Sequence, residues 1–361
     1  MITRVNTGIG TQRLRNQRVD PPVTGQPADL VGWLGAVQAQ EYHFAKWALA
    51  LRLAGDTTNA EIEHAFDTGR ILRTHVMRPT WHFVTPADIG WMLDLTGPRV
   101  HRTLASYTRR QGLDTKTLNL AAASFERALG GGHHLTRAEL GTRLARARIT
   151  LDGFQLGLVS MYAELEGVIC SGARRGKQFT YALLSERAPA TSRLPRDESL
   201  AELTRRYFTS HGPATIRDFV WWSGLTTADA RRGLEMVGAG AAAEAGLTYW
   251  RTSGTESAGS IRRGVHLLPI YDEYLVAYRD RAAVPHGSST IQSGPSAVTF
   301  RHALVSAGQV AGTWHTAVHR TGCSIDVTPS RPLASAEQRG VRAAATRYSR
   351  FMTSPLTLSI A

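Results

Sequence analysis

Leu135-Thr136-Arg137-Ala138-Glu139-Leu140 opens a stretch that closes with Gln178-Phe179-Thr180-Tyr181-Ala182-Leu183, and its reading decides the fold. The first run starts a helix, and Gln155 to Cys170 carries the spacing of a second. A Gly/Arg turn, Gly172-Ala173-Arg174-Arg175-Gly176, leads into the closing run, whose alternation is that of a strand. The same grammar appears on either side. Upstream, Thr58-Asn59 caps a helix through Phe66 with Glu61 in capping-box register, and Ile71 to Val84 forms a ribbon with Arg78-Pro79 near its turn. Pro86 then starts another helix. Downstream, Gly212-Pro213-Ala214-Thr215 opens a helix through Trp222, and Ser223-Gly224 turns the chain. Thr226 or Thr227 caps the next helix, and Leu247-Thr248-Tyr249-Trp250 supplies a strand.

Helix, turn, helix and β-ribbon is the order of a winged helix, and three in tandem imply duplication of one DNA-reading element. The ends differ. Residues 9–18 form a short basic helix with Arg13, Arg15 and Arg18, and a break at Pro21-Pro22 and Gly25 follows. Helical spacing returns over Asp29 to Val37 and Ala45 to Leu53. From Val265 onward strands are expected at His266 to Ile270, Val298 to Val305, Gln309 to His315 and Cys323 to Val327, with turns at Gly308 and Gly322. Residues 283–296 read as an exposed loop, and Ser335 to Met352 as a closing helix. The expected class is α+β: three winged-helix units and a small antiparallel β-barrel. The segments are 1–112, 113–196, 197–260 and 261–361.

Composition narrows the function. The 361 residues are 42% hydrophobic and 20% charged, as in an ordinary globular protein. Lys+Arg exceeds Asp+Glu by 42 to 29, a net charge of +13 with a pI near 10.4. Such an excess favours a polyanionic partner, because neutralised phosphates release their counterions. Only Lys46, Lys116 and Lys177 are lysines, and arginine suits bidentate phosphate contacts. Cys170 and Cys323 make neither a disulfide framework nor a zinc set, and no Walker loop or HExxH is present. Met1-Ile2-Thr3-Arg4 lacks the apolar core of a signal peptide, and no apolar run approaches the roughly 18 residues of a membrane span. The cytoplasm is the expected compartment.

Five blocks, in order, resemble the HTH_42 winged-helix family of AlkZ/YcaQ-type DNA glycosylases. They are Ala36-Val37-Gln38-Ala39-Gln40; Arg73-Thr74-His75 with Met77-Arg78-Pro79-Thr80-Trp81-His82-Phe83-Val84; and His211-Gly212-Pro213-Ala214-Thr215 with Asp218 to Leu225. Leu267-Leu268-Pro269-Ile270-Tyr271-Asp272-Glu273-Tyr274 with Arg281, and Gly308 to Trp314, complete the set. The family's glycine in the second block is Pro79 here. The resemblance implies a C-shaped scaffold whose basic concave face holds duplex DNA. It also implies monofunctional hydrolysis of the N-glycosidic bond of N7-alkylated guanine, in some members within crosslinks or bulky genotoxin adducts. Gln40 places the chain in the Gln-x-Gln branch rather than the Gln-x-Asp one.

The expected catalytic residues are Gln38 and Gln40, two amides able to hold one water between them. In extended or turn geometry positions i and i+2 point the same way, so the pair is expected at a helix end. The bland alternative is that both bond backbone or cap a helix. The expected DNA contacts are Arg78, His82, Arg174, Arg175, Lys177 and Lys46. His82 could equally be a hydrogen-bonded structural histidine, and Arg174, Arg175 and Lys177 a solvated charge run. Asp272 pairs with a buried arginine or caps a turn, unless it and Glu273 act as acid and base. Trp221-Trp222 reads as core rather than a stacking platform, and His133-His134 as loop. Neither cofactor nor metal is expected; the partner is double-stranded DNA and the state monomeric. The rival reading is a winged-helix transcriptional regulator that binds DNA without catalysis.

Overall fold

The computed structural model describes residues 7–189, 191, 193–244, 246–252, 264–281, 283–284 and 301–361. The expected loop at 283–296 lies outside them from residue 285 onward, as does the start of the expected strand at Val298. The fold is mixed α+β, and the chain divides into two compact units. No helix among the described residues is long and apolar enough to cross a membrane.

One unit comprises His64–Leu203 and Ser223–Leu225. Its first ribbon pairs Leu72–Val76 antiparallel with Arg78–Val84, where a ribbon was expected. Met77 takes the left-handed backbone at the turn (φ 63), held by an N–H donated to Thr96 Oγ1 at 3.0 Å. Pro79, whose ring fixes φ, is thereby left a strand position. Gly224 (φ +70) packs against this turn: a Cβ there would stand 2.2 Å from the Met77 carbonyl oxygen. Helix Ile89–Arg110 follows the ribbon.

Helices Thr115–Leu129, Arg137–Arg146 and Gly153–Leu165 then close over Phe125, Leu140, Leu144 and Val159. Their sheet runs Leu135–Thr136, Thr180–Leu183, Ile169–Ser171, all antiparallel. This is the helix, helix and ribbon order read from the sequence. Thr136 and Glu139 fasten the middle helix reciprocally, with Glu139 N–H on Thr136 Oγ1 at 3.3 Å and Thr136 N–H on Glu139 Oε2 at 2.7 Å. The third helix stops at Leu165 instead of reaching Cys170, because Gly167 turns left-handed (φ 68) and Ile169 begins a strand.

The other unit comprises Met1–Glu63, Thr204–Trp222 and Thr226–Ala361. Thr226 caps helix Thr227–Met236 by accepting from Asp229 N at 3.0 Å, and the ribbon Gly240–Glu244/Leu247–Arg251 follows. The C-terminal sheet has the order Leu356–Ile360, Gly322–Pro329, Gln309–His319, Ala303–Ser306, Val265–Leu268. The expected antiparallel barrel is corrected in two respects. Among the described residues no pairing joins the outer strands, so the sheet is open. Its edge pair, Cys323–Val327 with Leu356–Ile360, is parallel because helix Ser335–Met352 is the crossover between them.

That helix buries Val341, Ala345, Tyr348 and Phe351 on one face. Tyr348 meets Trp47 edge-on at 5.1 Å and Trp314 at 5.5 Å. Two histidines border this aromatic core: His43 Nε2 lies 3.1 Å from the Tyr348 hydroxyl, and His302 Nδ1 accepts from Ile270 N at 2.9 Å. Burial pushes both down to about 4, aided by the charge of Lys46 at His43 and by His315 at His302; Glu63 opposes the shift at His43. A base depressed in the folded state stays neutral while the unfolded chain takes up protons. Stability is therefore lost as pH falls from about 6.5 towards about 4. Thermal melts in matched buffers across that window should show Tm dropping, and His43→Gln with His302→Gln should flatten the drop; an equally steep fall in the double variant refutes the assignment.

Candidate functional site

The Gln-x-Gln segment lies between two helices, at a helix end as expected. Helix Pro27–Leu34 ends at Gly35 (φ 80), Val37–Gln38 is extended, and the chain re-enters a helix at Tyr42. Ala39 is buried, Gln38 is 6% exposed and Gln40 is half-buried, so the segment is part of the packed framework.

A buried carboxylate holds this segment by its main chain. Glu273 Oε1 accepts the Gln38 N–H at 2.7 Å, and Oε2 accepts the Trp222 indole N–H at 3.0 Å. His211 Nε2 stands 3.4 Å from Oε2, its ring stacked on Tyr207 at 4.9 Å. Burial, partly offset by Glu273, lowers the His211 pKa, so its imidazole is neutral near pH 7. The sequence offers Glu273 only as a partner of Asp272 in an acid and base pair. Nothing in a linear pattern reveals that it reaches a backbone amide 235 residues away.

Asp272 takes the structural alternative on both counts. Its oxygens accept from Arg52 Nη1 and Nη2 at 2.8 and 2.7 Å, and Oδ1 also caps Tyr274 N at 2.9 Å. Arg52 spends its remaining donors on Ala48 O, Gln17 O and Gln17 Oε1. Gln17 Nε2 donates to the Tyr278 hydroxyl, which donates to His211 O. Arg13 lies 3.7 Å over the Tyr278 ring and 3.8 Å from Asp218, whose Oδ1 accepts from Arg279 N and Asp280 N. Burial drives the Tyr274 and Tyr278 hydroxyls far above their ordinary range. Both hydroxyls therefore stay protonated near neutrality. Trp222 is core as expected, while Trp221 is 43% exposed with its indole N–H on Val276 O.

The expected DNA contacts divide. Lys46 is 3% exposed, ion-paired with Glu63 and 4.7 Å from the Tyr42 ring centre. His82 is buried opposite Thr74, with Nδ1 on Thr80 O at 2.9 Å and Nε2 3.4 Å from Arg78 Nη2, the structural option. Arg78 itself is half-buried beside exposed Pro79 at the ribbon tip. In the second ribbon Arg175 and Lys177 are exposed and Arg174 half-buried. Arg174 donates to Lys177 O at 2.7 Å, and Arg175 pairs with Glu139 at 2.7 Å and reaches His134 O at 2.8 Å. Hydrogen bonds from the Thr136 backbone and from Arg175 hold the Glu139 carboxyl down to about 2.

Arg73 and His75, quoted in the sequence blocks without roles, belong to the same unit as these ribbons. The Arg73 guanidinium lies between the Trp81 ring (4.3 Å) and the 37% exposed Phe179 ring (4.7 Å), and Arg174 covers Phe179 at 4.9 Å. His75 Nδ1 is 2.5 Å from Glu164 Oε2. A separate cavity of about 450 Å³, lined by Leu104, Leu113, Leu158 and Met161 among others, takes in none of the expected site residues.

Against this geometry the comparisons agree. A Streptomyces sahachiroi protein named interstrand DNA cross-link repair glycosylase is 25% identical over 320 residues, covering 84% of this chain and 85% of its own. The solved structure of Streptomyces sahachiroi DNA glycosylase AlkZ superposes with a TM-score of 0.81 at 22% identity, over 98% of this chain and 99% of that one. It is a likeness of fold. The family described as DNA glycosylase AlkZ-like matches residues 31–351, and the chain belongs to that family of hydrolases acting on N-glycosyl bonds.

Proposed function

We propose that this enzyme releases N7-alkylated purines from duplex DNA, including bulky adducts and interstrand crosslinks, with Gln38 and Gln40 aiming the attacking water. The observation that carries the reading is the Gln38-Ala39-Gln40 segment fastened through its main chain to buried Glu273, with Gln40 half-exposed. A purine alkylated at N7 is cationic and departs easily, so the sugar moves towards an oxocarbenium-like state without a strong acid. What remains is to orient a water at C1′ and tolerate positive charge, which is positioning and electrostatic work. Neutral amides suit it. Each offers a carbonyl acceptor and N–H donors, and neither can become a strong base able to attack unmodified DNA. The crosslink substrate is taken from the name of the Streptomyces sahachiroi relative.

Duplex affinity is assigned to the ribbon tips, through Arg78, Arg174, Arg175 and Lys177, acting as a monomer in the cytoplasm. The Arg175–Glu139 pair is no obstacle, since both side chains are largely exposed and such a pair is readily exchanged for a phosphate.

The reading is tested by single-turnover release of 7-methylguanine from a defined duplex. Gln38→Ala and Gln40→Ala should each slow release by about 10²-fold, the cost of misplacing a reactant, with duplex affinity unchanged. Release at the unsubstituted rate from the double variant rejects the pair as catalytic. Fluorescence anisotropy with undamaged duplex tests the ribbons. Lys177→Ala and Arg78→Ala should each flatten the slope of log affinity against log salt by about 0.9, one phosphate contact. Unchanged slopes place the duplex elsewhere.

A further inference from the structure

We infer that Glu273 is a positioning residue for base release, one whose two acceptor oxygens set the place of the Gln38-Ala39-Gln40 segment. The inference rests on the reading of Gln38 and Gln40 as the water-holding pair. It goes beyond that reading by assigning their alignment to one wholly buried side chain.

Glu273 stands between two groups that can only donate, the Gln38 backbone N–H at 2.7 Å and the Trp222 indole N–H at 3.0 Å. Glu273 and Trp222 are wholly buried, so no solvent can substitute for a missing acceptor. Only a side chain that accepts at both ends fits. A carboxylate does; the isosteric amide of glutamine does not. Whichever way such an amide turned, its NH2 would face one of the two N–H groups. Facing Gln38, it would push the catalytic segment away. Facing Trp222, it would crowd the indole on the helix that carries it.

His211 offers the way out. Ser210 Oγ donates to Arg206 O at 2.7 Å, so the 2.8 Å contact between His211 Nδ1 and that Oγ is one in which the imidazole donates. Its Nε2 then carries a lone pair towards position 273. An amide NH2 could donate there once the indole N–H was removed, leaving the amide oxygen for Gln38.

Three variants are therefore compared with the parent enzyme on a 7-methylguanine duplex, with Tm and duplex affinity measured for each. Glu273→Gln should slow single-turnover release by about 10²-fold, with affinity for the duplex within about twofold of the parent. Trp222→Phe alone should stay within about tenfold of the parent rate, since Glu273 still accepts from Gln38. The double variant Glu273→Gln/Trp222→Phe should be faster than Glu273→Gln by at least about tenfold. A side chain that merely supports folding predicts no such rescue, because two core substitutions add their damage. The inference is overturned by Glu273→Gln at the parent rate, or by a double variant no faster than Glu273→Gln, folded or not. Gln38→Ala and Gln40→Ala run alongside separate the two readings. If they release base at the parent rate, the pair is not catalytic and Glu273 has nothing to position. If they are slow while Glu273→Gln is fast, only the positioning role falls.

Discussion

Two adjacent carboxylates, Asp272 and Glu273, are withdrawn from water, and the arrangement around the Gln-x-Gln segment follows from how they are satisfied. Stripping an ion of water costs several kcal/mol, recovered only when nearly every lone pair finds a donor. Asp272 meets that demand with the fork of Arg52 and a helix cap, and Glu273 with a backbone amide and an indole. The donors come from distant parts of the chain: the helix that includes Trp222, the turn after helix Tyr42–Ala50, and the segment bearing Gln38. Satisfying two charges therefore fixes three elements. Removing either partner of such a buried pair typically costs about 3–5 kcal/mol, a large share of a domain's stability.

This constraint has a chemical consequence. An enzyme that relied on a shifted carboxylate or histidine would tune its site by pKa. Here the ionisable groups around the segment serve as struts, and burial holds His211 neutral and the Tyr274 and Tyr278 hydroxyls protonated. Catalytic leverage that depends on aiming a neutral side chain is sensitive to displacement rather than to charge, since a reactant misplaced by about 1 Å can lose about 10²-fold in rate. A rigid buried polar network suits that requirement better than a flexible titrating one.

Features governed by neighbours in the chain were legible in the sequence. The Thr136/Glu139 and Thr226/Asp229 caps, the ribbon around Met77 and the full span of helix Ser335–Met352 depend on residues within a few positions of each other. Leu356-Thr-Leu-Ser-Ile360 was also legible, by its strict alternation, but went unread. Its parallel pairing was not, because the crossover that imposes it is a matter of topology. The site divides the same way. Gln38 and Gln40 could be named as candidates only with the other four blocks of the resemblance beside them, whereas the burial of Lys46 beside Glu63, or of His82 against Thr80, depends on what packs over them.

The arginine excess illustrates why composition alone misleads about mechanism. Thirty-nine arginines against three lysines suggested bidentate phosphate contacts. Yet Arg52 makes five hydrogen bonds to four acceptor groups inside the protein, and Arg187 and Arg347 each bind two main-chain carbonyls. Arg73 fills the space between two aromatic rings. A lysine ammonium has too few donors for the first task and no flat face for the last. Part of the preference for arginine is thus set by the interior, where a rigid fork joins segments distant in the chain. The charge available to a phosphate backbone is confined to exposed side chains such as Lys177 and Arg175, and on the reading proposed above it is their placement on ribbon tips, not the total of +13, that would bear on DNA.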